Sequence, residues 1–276
     1  QIMKFGLLEK DILIGNALVD MYVKCGMLLE AQKVFNKLLV RDEVSWNVLI
    51  LGYVQHGLSE EALDCMKSMQ FWGVSPDQIT CVAALGACSD IVAIIEGQKI
   101  HAEIVKKGFL ETDNIVGNAL VDMYADCCMV SEAHKVFKEL IVQDVISWNA
   151  LIAGYAQLGS VELVFDLFHK MLQEGNDPDS VTFTILLNTC SHAGMVGRSE
   201  ICFQTMKSMY EITPTPEHYA CMVDLFSRAG QFDKALVVIE RMPRFDHVPT
   251  WATLLGACKK WGYLKLGELA FEHLVQ

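Results

Sequence analysis

Gly15-Asn16-Ala17-Leu18-Val19-Asp20-Met21-Tyr22 returns letter for letter at Gly117–Tyr124, 102 residues further along a chain of 276. The same shift carries Ser45-Trp46-Asn47 onto Ser147-Trp148-Asn149, and Thr80 onto Thr182. A blurred third copy, Ala220-Cys221-Met222-Val223-Asp224-Leu225-Phe226, follows after another 102 residues. Repetition at a fixed period is what a solenoid leaves in its sequence, because every unit must present the same faces to its neighbours.

The long period contains three sub-repeats. In residues 12–42, Leu18, Met21 and Tyr22 fall at i, i+3 and i+4, and Ala31, Val34, Phe35 and Leu38 do the same further on. Each set predicts one apolar helical stripe. Gly26 lies between them, where a tight turn favours a residue without a Cβ. The unit is therefore a helix hairpin, too small to bury its own apolar face, so stacking on its neighbours must supply the core. No run shows sustained period-two alternation, which excludes a strand reading.

The boundaries follow in register. A hairpin over 43–77 turns at His56-Gly57 and ends at Pro76-Asp77, where proline disfavours helix at the residue before it. A third covers 78–113, and the triplet restarts as 114–144, 145–179 and 180–215. A final short unit covers 216–247, and 248–276 begins another. Residues 1–11 read as the tail of a unit of the 78–113 type, so both ends are expected to be fragment ends without a capping repeat or targeting peptide.

Composition fits a packed helical array: 52% of residues are hydrophobic and 20% charged. The longest uncharged run, 180–197, carries Asn188, Ser191, His192 and Gly194 in repeat phase, so it reads as a hairpin and not as a membrane span. Among the ten cysteines, Cys88, Cys190 and Cys258 share one repeat position and Cys25 and Cys127 another, which reads as small buried hydrophobes. There is no Cys-x-x-Cys pair, and Cys127-Cys128 alone lacks zinc-finger spacing, so no metal ligands are expected and a reducing compartment is. His101-Ala102-Glu103 has the His-x-Glu of a zinc deaminase but not the Pro-Cys-x-x-Cys that completes such a site. His101 is expected to be an ordinary helix residue. With no Walker loop, nucleophile elbow or paired-carboxylate motif either, the expectation is a chain that is not an enzyme and takes no cofactor.

These residues resemble a pentatricopeptide repeat protein of the plant PLS class. Units of 31, 35 and 36 residues alternate as in that class. Gly-Asn-Ala-Leu-Val-Asp-Met-Tyr and Pro216-Glu217-His218-Tyr219-Ala220-Cys221-Met222-Val223-Asp224 are phrases of its short motifs. Trp251-Ala252-Thr253-Leu254-Leu255-Gly256-Ala257-Cys258 is similar to the start of the extension motif that follows such arrays. A tetratricopeptide reading lacks its Trp-x-x-Leu-Gly signature and does not alternate in length. The resemblance implies an all-α fold, a right-handed α-solenoid (superhelix) of stacked helix-turn-helix repeats.

The family reads single-stranded RNA one base per repeat, through the fifth residue of the first helix and the last residue of the repeat. Carried over, the base-reading pairs are Asn16/Asp42, Asn47/Asp77, Asn118/Asp144 and Asn149/Asp179. All four are the combination the family assigns to uridine, with cytidine second. An amide offers one donor and one acceptor type to a base edge, and a carboxylate can orient it. The structural reading of each Asp is an N-cap for the next helix. The second residue of each repeat, which in the family sandwiches the bases, is Leu13, Val44, Ile79, Ile115, Ile146 or Val181, then Glu217 and Pro249, which cannot form that wedge. Val82/Asp113, Thr184/Thr215 and Ala220/His247 depart from the code.

A net charge of −12 and a pI near 5.1 oppose a strong non-specific attraction to nucleic acid. The thirteenth position, which in the family can reach phosphates, is Lys24, Arg228 or Lys260, but also Asp90 and Asp126. The resemblance implies the RNA-recognition part of an organellar C-to-U editing factor, in mitochondrion or chloroplast, with a U-U-n-U-U preference. Its implied partners are single-stranded RNA and a deaminase-bearing protein or other editing factors, with no membrane. The alternatives are a factor for organellar RNA processing, stability or translation, and a protein-binding helical scaffold.

Overall fold

In the computed structural model, residues 12–112, 114–242 and 248–275 are described; the expectations for 1–11, Asp113 and His247 lie outside them. The chain divides into two compact units, Gln1–Gln143 and Asp144–Gln276. The described residues of the first form α1 (Ile12–Lys24), α2 (Leu28–Lys37), α3 (Glu43–Gln55), α4 (Ser59–Phe71), α5 (Gln78–Asp90), α6 (Ile94–Lys107), a 3-10 turn (Phe109–Glu111), α7 (Asn114–Asp126) and α8 (Val130–Glu139). The second holds α9 (Val145–Gln157), α10 (Val161–Gln173), α11 (Ser180–Ala193), α12 (Val196–Ser208), α13 (Pro216–Arg228), α14 (Phe232–Arg241), α15 (Val248–Trp261) and α16 (Leu264–Val275).

Helices alternate between two roles. In the first unit the odd-numbered helices pack in a row, α1 on α3, α3 on α5 and α5 on α7. Each even-numbered helix packs on its own partner, and α2, α4 and α6 pack also on the next odd-numbered helix, α3, α5 and α7. The second unit has the row α9, α11, α13, α15, with α10 on α11 and α12 on α13. Each unit is a stack of hairpins sharing a continuous core, the all-α solenoid expected from the repeats.

The core is built where the period predicts it. Ala31, Val34, Phe35 and Leu38 are all buried. Phe35 meets Trp46 of the next hairpin edge-on, with ring centroids 4.7 Å apart. The expected stripe Leu18, Met21, Tyr22 is corrected: α1 buries Gly15, Asn16, Val19 and Val23 instead, and Met21 is exposed. Among the described residues α1 has only α2 and α3 as substantial packing partners. Gly117 of the repeated octapeptide lies against the tip of the Leu140 side chain, which would have to shift to admit a Cβ there.

The inter-helix turns place one residue in the left-handed region. Gly26, Gly57 and Gly159 occupy it at φ 70°, 70° and 69°. Cys128 takes the place of Gly26 in the fourth hairpin at φ 59°, and Val92 takes the place of Gly194 in the third at φ 55°. The uncharged run 180–197 is broken by Gly194 into α11 and the start of α12. No described helix is long and apolar enough to cross a membrane.

Candidate nucleic-acid interface

The second and fifth residues of a repeat are one helical turn apart and therefore share a face. Along the odd-numbered helices the second residues stand out from the surface. Leu13, Val44, Ile79, Ile115, Ile146 and Val181 are 54% to 74% exposed, although each is a large aliphatic. The fifth residues beside them are sunk: Asn16, Asn47, Asn118 and Asn149 are each 7% exposed. In each of the four hairpins with Asn at the fifth position, an exposed aliphatic side chain thus stands beside a recessed amide.

Three of the pairs are seen as direct contacts. The amide nitrogen of Asn16 donates to Asp42 over 3.3 Å, that of Asn47 to Asp77 over 2.9 Å, and that of Asn149 to Asp179 over 3.0 Å. A carboxylate only accepts, so it fixes which end of each amide faces it. Asn118 lies on α7 in the first unit, and Asp144 caps α9 in the second.

Each Asp has a second duty, the capping role its sequence position suggests. Asp42 accepts from the Ser45 backbone N–H (2.9 Å), Asp77 from Thr80 (2.8 Å), Asp144 from Ser147 (2.9 Å) and Asp179 from Thr182 (2.9 Å). A free N–H of the first helical turn is satisfied in this way, a contribution of about 1 kcal/mol per cap. For Asp42, Asp77 and Asp179 the two readings are compatible, since one carboxylate both starts the next helix and holds the amide of its own repeat.

The hydrogen bonds set the charge state. Burial pushes the Asp42 carboxyl up, but the Ser45 N–H, the Ser45 hydroxyl and the Asn16 amide together hold it below the usual aspartate value. At Asp179 burial is likewise outweighed, here by the Thr182 N–H, the Asn149 amide and the Thr182 hydroxyl. Both are carboxylates at neutral pH, acceptor-only and partly exposed.

The third residue of the following repeat is a participant that the sequence reading missed. The Ser45 hydroxyl lies 2.7 Å from the Asn16 amide oxygen, Thr80 2.6 Å from that of Asn47 and Thr182 2.7 Å from that of Asn149. Each is also 2.8 Å to 3.0 Å from the aspartate carboxylate, so its one proton is shared between the two acceptors. All three hydroxyl residues are fully buried. The repeated Ser-Trp-Asn holds one of these hydroxyls: Ser45, like Thr80 and Thr182, serves the Asn of the hairpin before it, whereas the Ser147 hydroxyl donates to the Asp144 carbonyl over 2.9 Å.

Elsewhere the pattern changes. In the sixth hairpin Thr184 stands at the fifth position, and His218 replaces the hydroxyl residue of the next. His218 is fully buried, and its Nδ1 accepts the Thr215 backbone N–H over 2.9 Å. That leaves the proton on Nε2, which lies 2.9 Å from the Ser180 carbonyl oxygen and 3.2 Å from the Thr184 hydroxyl. Glu217 is exposed at the second position of that repeat. The cations Lys24 and Arg228 are paired with Asp20 and Asp224 one turn away, at 2.7 Å and 2.8 Å.

The other candidates resolve into packing. Cys88, Cys127, Cys190 and Cys258 are buried and free, but Cys25 is exposed, which corrects the expectation for it. Cys127 has the fifth helix to pack on, its thiol facing the Cys88 carbonyl, whereas Cys25 lies in the first described hairpin. His101 Nδ1 lies 2.9 Å from the Tyr124 hydroxyl, between α6 and α7. Burial pulls its pKa down, as expected for a packed helix residue. Among the described residues no group of three or more His, Cys, Asp or Glu side chains is arranged to hold a metal.

Comparison with known proteins gives one consistent answer. The profile of the PPR repeat family matches residues 41–90 and 143–192, and that of the PPR repeat matches 16–42, 118–145, 181–210 and 217–247. A chloroplastic pentatricopeptide repeat-containing protein of Arabidopsis thaliana is 40% identical over 96% of this chain and 36% of its own length. A mitochondrial relative from the same plant is 35% identical over 98% of this chain and 43% of its own length. Other relatives are covered over 32% to 55% of their length, so the chain spans about a third to a half of the curated proteins it matches. The crystal structure of the maize pentatricopeptide repeat protein PPR10 shares the fold at 18% identity, with a TM-score of 0.70 over 94% of this chain and 37% of that one. PPR10 in complex with an 18-nt psaJ RNA element matches with a TM-score of 0.78 over the whole of this chain and 41% of that one.

Proposed function

The chain belongs to the pentatricopeptide repeat family, and from that premise we propose that it binds single-stranded RNA one base per repeat. The observation that carries the reading is the alternation along the odd-numbered helices, exposed aliphatic then recessed amide. A nucleobase is flat and apolar on its faces and polar only at its edge. Leu13 and Val44, or Ile146 and Val181, offer aliphatic surface to the two faces of one base, while Asn16 or Asn149 meets its edge. Uracil presents an N–H between two carbonyl oxygens, which suits an amide with one N–H and one oxygen lone pair still uncommitted.

On this reading hairpins 12–42, 43–77, 114–144 and 145–179 each take a uridine, and 78–113 is permissive, giving U-U-n-U-U from 5′ to 3′. The finer role we propose is the site-recognition part of an organellar C-to-U editing factor, in mitochondrion or chloroplast. Its support is the alternation of 31, 35 and 36 residues and the extension-like segment beginning in α15. Relatives named as chloroplastic and mitochondrial agree with that location. Deamination is assigned to a deaminase-bearing protein or module that this recognition array would position.

Affinity on this reading comes from base contacts more than from phosphates. The net charge is −12, and Lys24 and Arg228 are already paired within the protein. Binding should therefore weaken only gradually with salt, with a slope well short of the six to ten phosphate contacts of strongly electrostatic binders. The test is competition between U-U-n-U-U and A-A-n-A-A oligonucleotides over a salt series. Equal affinity for the two would remove the base-reading proposal. Transcript sequencing in plants lacking the gene then separates the roles: loss of C-to-U conversion at one site supports editing, and altered transcript ends with intact editing supports processing.

A further inference from the structure

We propose that the third residue of a repeat is a positioning residue for base discrimination, acting on the Asn of the repeat before it. Ser45, Thr80 and Thr182 are the residues concerned, and the proposal rests on the reading that Asn/Asp pairs read bases. Each Asn amide is held at both ends. Its nitrogen donates to the repeat's last residue, and its oxygen lies 2.6 Å to 2.7 Å from a fully buried hydroxyl of the next helix, whose proton it shares with the aspartate carboxylate at 2.8 Å to 3.0 Å.

The second anchor has a distinct effect. A carboxylate alone decides which end of the amide faces it, but leaves the amide plane to turn about the terminal side-chain bond, whose torsional preference is broad. Two anchors on opposite ends define the plane. One N–H and one lone pair are then left at a fixed angle beside the exposed aliphatic of the second position. Pre-set donors and acceptors discriminate between partners better than mobile ones, since the wrong partner cannot be met by a turn of the group.

The sequence register agrees. Where the fifth residue is Asn, at Asn16, Asn47, Asn118 and Asn149, the next third residue is Ser45, Thr80, Ser147 and Thr182, and of these only Ser147 turns its hydroxyl to another group, the Asp144 carbonyl at 2.9 Å. Where the fifth residue is Val82, the corresponding position is Val116, fully buried in α7. A valine is therefore compatible with the fold at this position. Thr80 and Thr182 also close capping boxes, each accepting the backbone N–H of its Asp, so a role confined to helix starting is the competing explanation.

The experiment uses the whole chain carrying Thr182→Val, Thr182→Ser or Thr80→Val. Each is titrated with U-U-n-U-U oligonucleotides in which only the second or only the fifth base is varied. Thr182→Val should reduce the preference for U over A at the fifth base by about five-fold and leave the second base unchanged. Thr80→Val should do the reverse, and Thr182→Ser should keep the wild-type ratios. Weaker binding with unchanged ratios at both bases would reduce these hydroxyls to structural caps and overturn the proposal. A wild-type protein without preference at either base would sink the base-reading proposal and this one with it. Helicity by circular dichroism checks each variant, and Ser45→Ala, read at the first base, stands in for any that fails to fold.

Discussion

The Asn149 amide nitrogen donates to the Asp179 carboxylate over 3.0 Å, from the first turns of α9 to the residue that starts α11 two helices later. The contact spans thirty residues of sequence and one hairpin of structure. It joins the beginning of a repeat to its end, and so makes one readout unit out of groups on two different helices.

That geometry allows the carboxylate to be changed without losing the helix start. Asn caps helices about as well as Asp, so Asp179→Asn should fold while giving Asn149 an amide partner. By the family pattern this moves the fifth base from U towards C. The expected shift in relative affinity is several-fold, near the low end of the ~1–3 kcal/mol found for good base contacts. Competition between U-U-n-U-U and U-U-n-U-C at one salt concentration measures it, and identical ratios for wild type and variant would contradict the pair's joint role.

Ile146 and Val181 should matter to RNA and not to folding. Both are more than half exposed, so truncation to alanine removes little buried surface from the free protein. Ile146→Ala with Val181→Ala should weaken RNA binding about five- to thirty-fold, from ~1–2 kcal/mol of lost apolar contact. Thermal melts should move by less than a degree or two. A lowered melting temperature with unchanged affinity would place these side chains in the core instead.

Two turns carry strain that glycine would relieve. Cys128 at φ 59° and Val92 at φ 55° occupy positions that glycines hold in the sister repeats. Both are exposed, so little packing is lost on substitution. Cys128→Gly and Val92→Gly should each raise stability by about 1 kcal/mol, the β-branched Val92 gaining the more. Chemical denaturation with unchanged m-values reads this directly, and a lower midpoint for Val92→Gly would argue that its side chain packs in solution.

Acid should act on the same carboxylates. The folded-state pKa values of Asp42 and Asp179 are depressed, so their stabilisation is complete above the ordinary aspartate value of about 4. It is lost as pH falls through the lower folded values. Between pH 5 and 8 the U preference should therefore hold constant. Below pH 4 the Asp179→Asn variant should lose less stability on acidification than the wild type. Melts from pH 6 to pH 2.5 test this, and parallel losses in both proteins would show that Asp179 contributes nothing to the acid limb.

The legible parts of the site were those written in one place in the sequence. The Asn of the fifth position and the Asp at the repeat's end follow from the register, and Asp is a helix-starting residue wherever it precedes a helix. The hydroxyls of Ser45, Thr80 and Thr182 were not legible, because their partners lie in another hairpin and only stacking brings them within 3 Å. His218 escaped for the same reason: nothing in Pro-Glu-His-Tyr reveals that its ring bridges Thr215, Ser180 and Thr184. The left-handed turn at Val92 was hidden because a β-branched residue gives no local signal for it.

The repeated octapeptide separates the two kinds of information. Its letters dictate the same helix twice, α1 and α7, and the same recessed Asn, because turn spacing and propensity act within a few residues. They do not dictate burial. Met21 is 44% exposed, while Met123, the same letter in the second copy, is fully buried. Gly97 on α6 leaves room for the Met123 sulfur, and His101 meets Tyr124 on the same flank. Among the described residues α1 packs substantially only on α2 and α3, whereas α7 packs on α5, α6 and α8. Helix and register are local consequences of the sequence; which apolar face becomes core depends on the neighbour stacked against it.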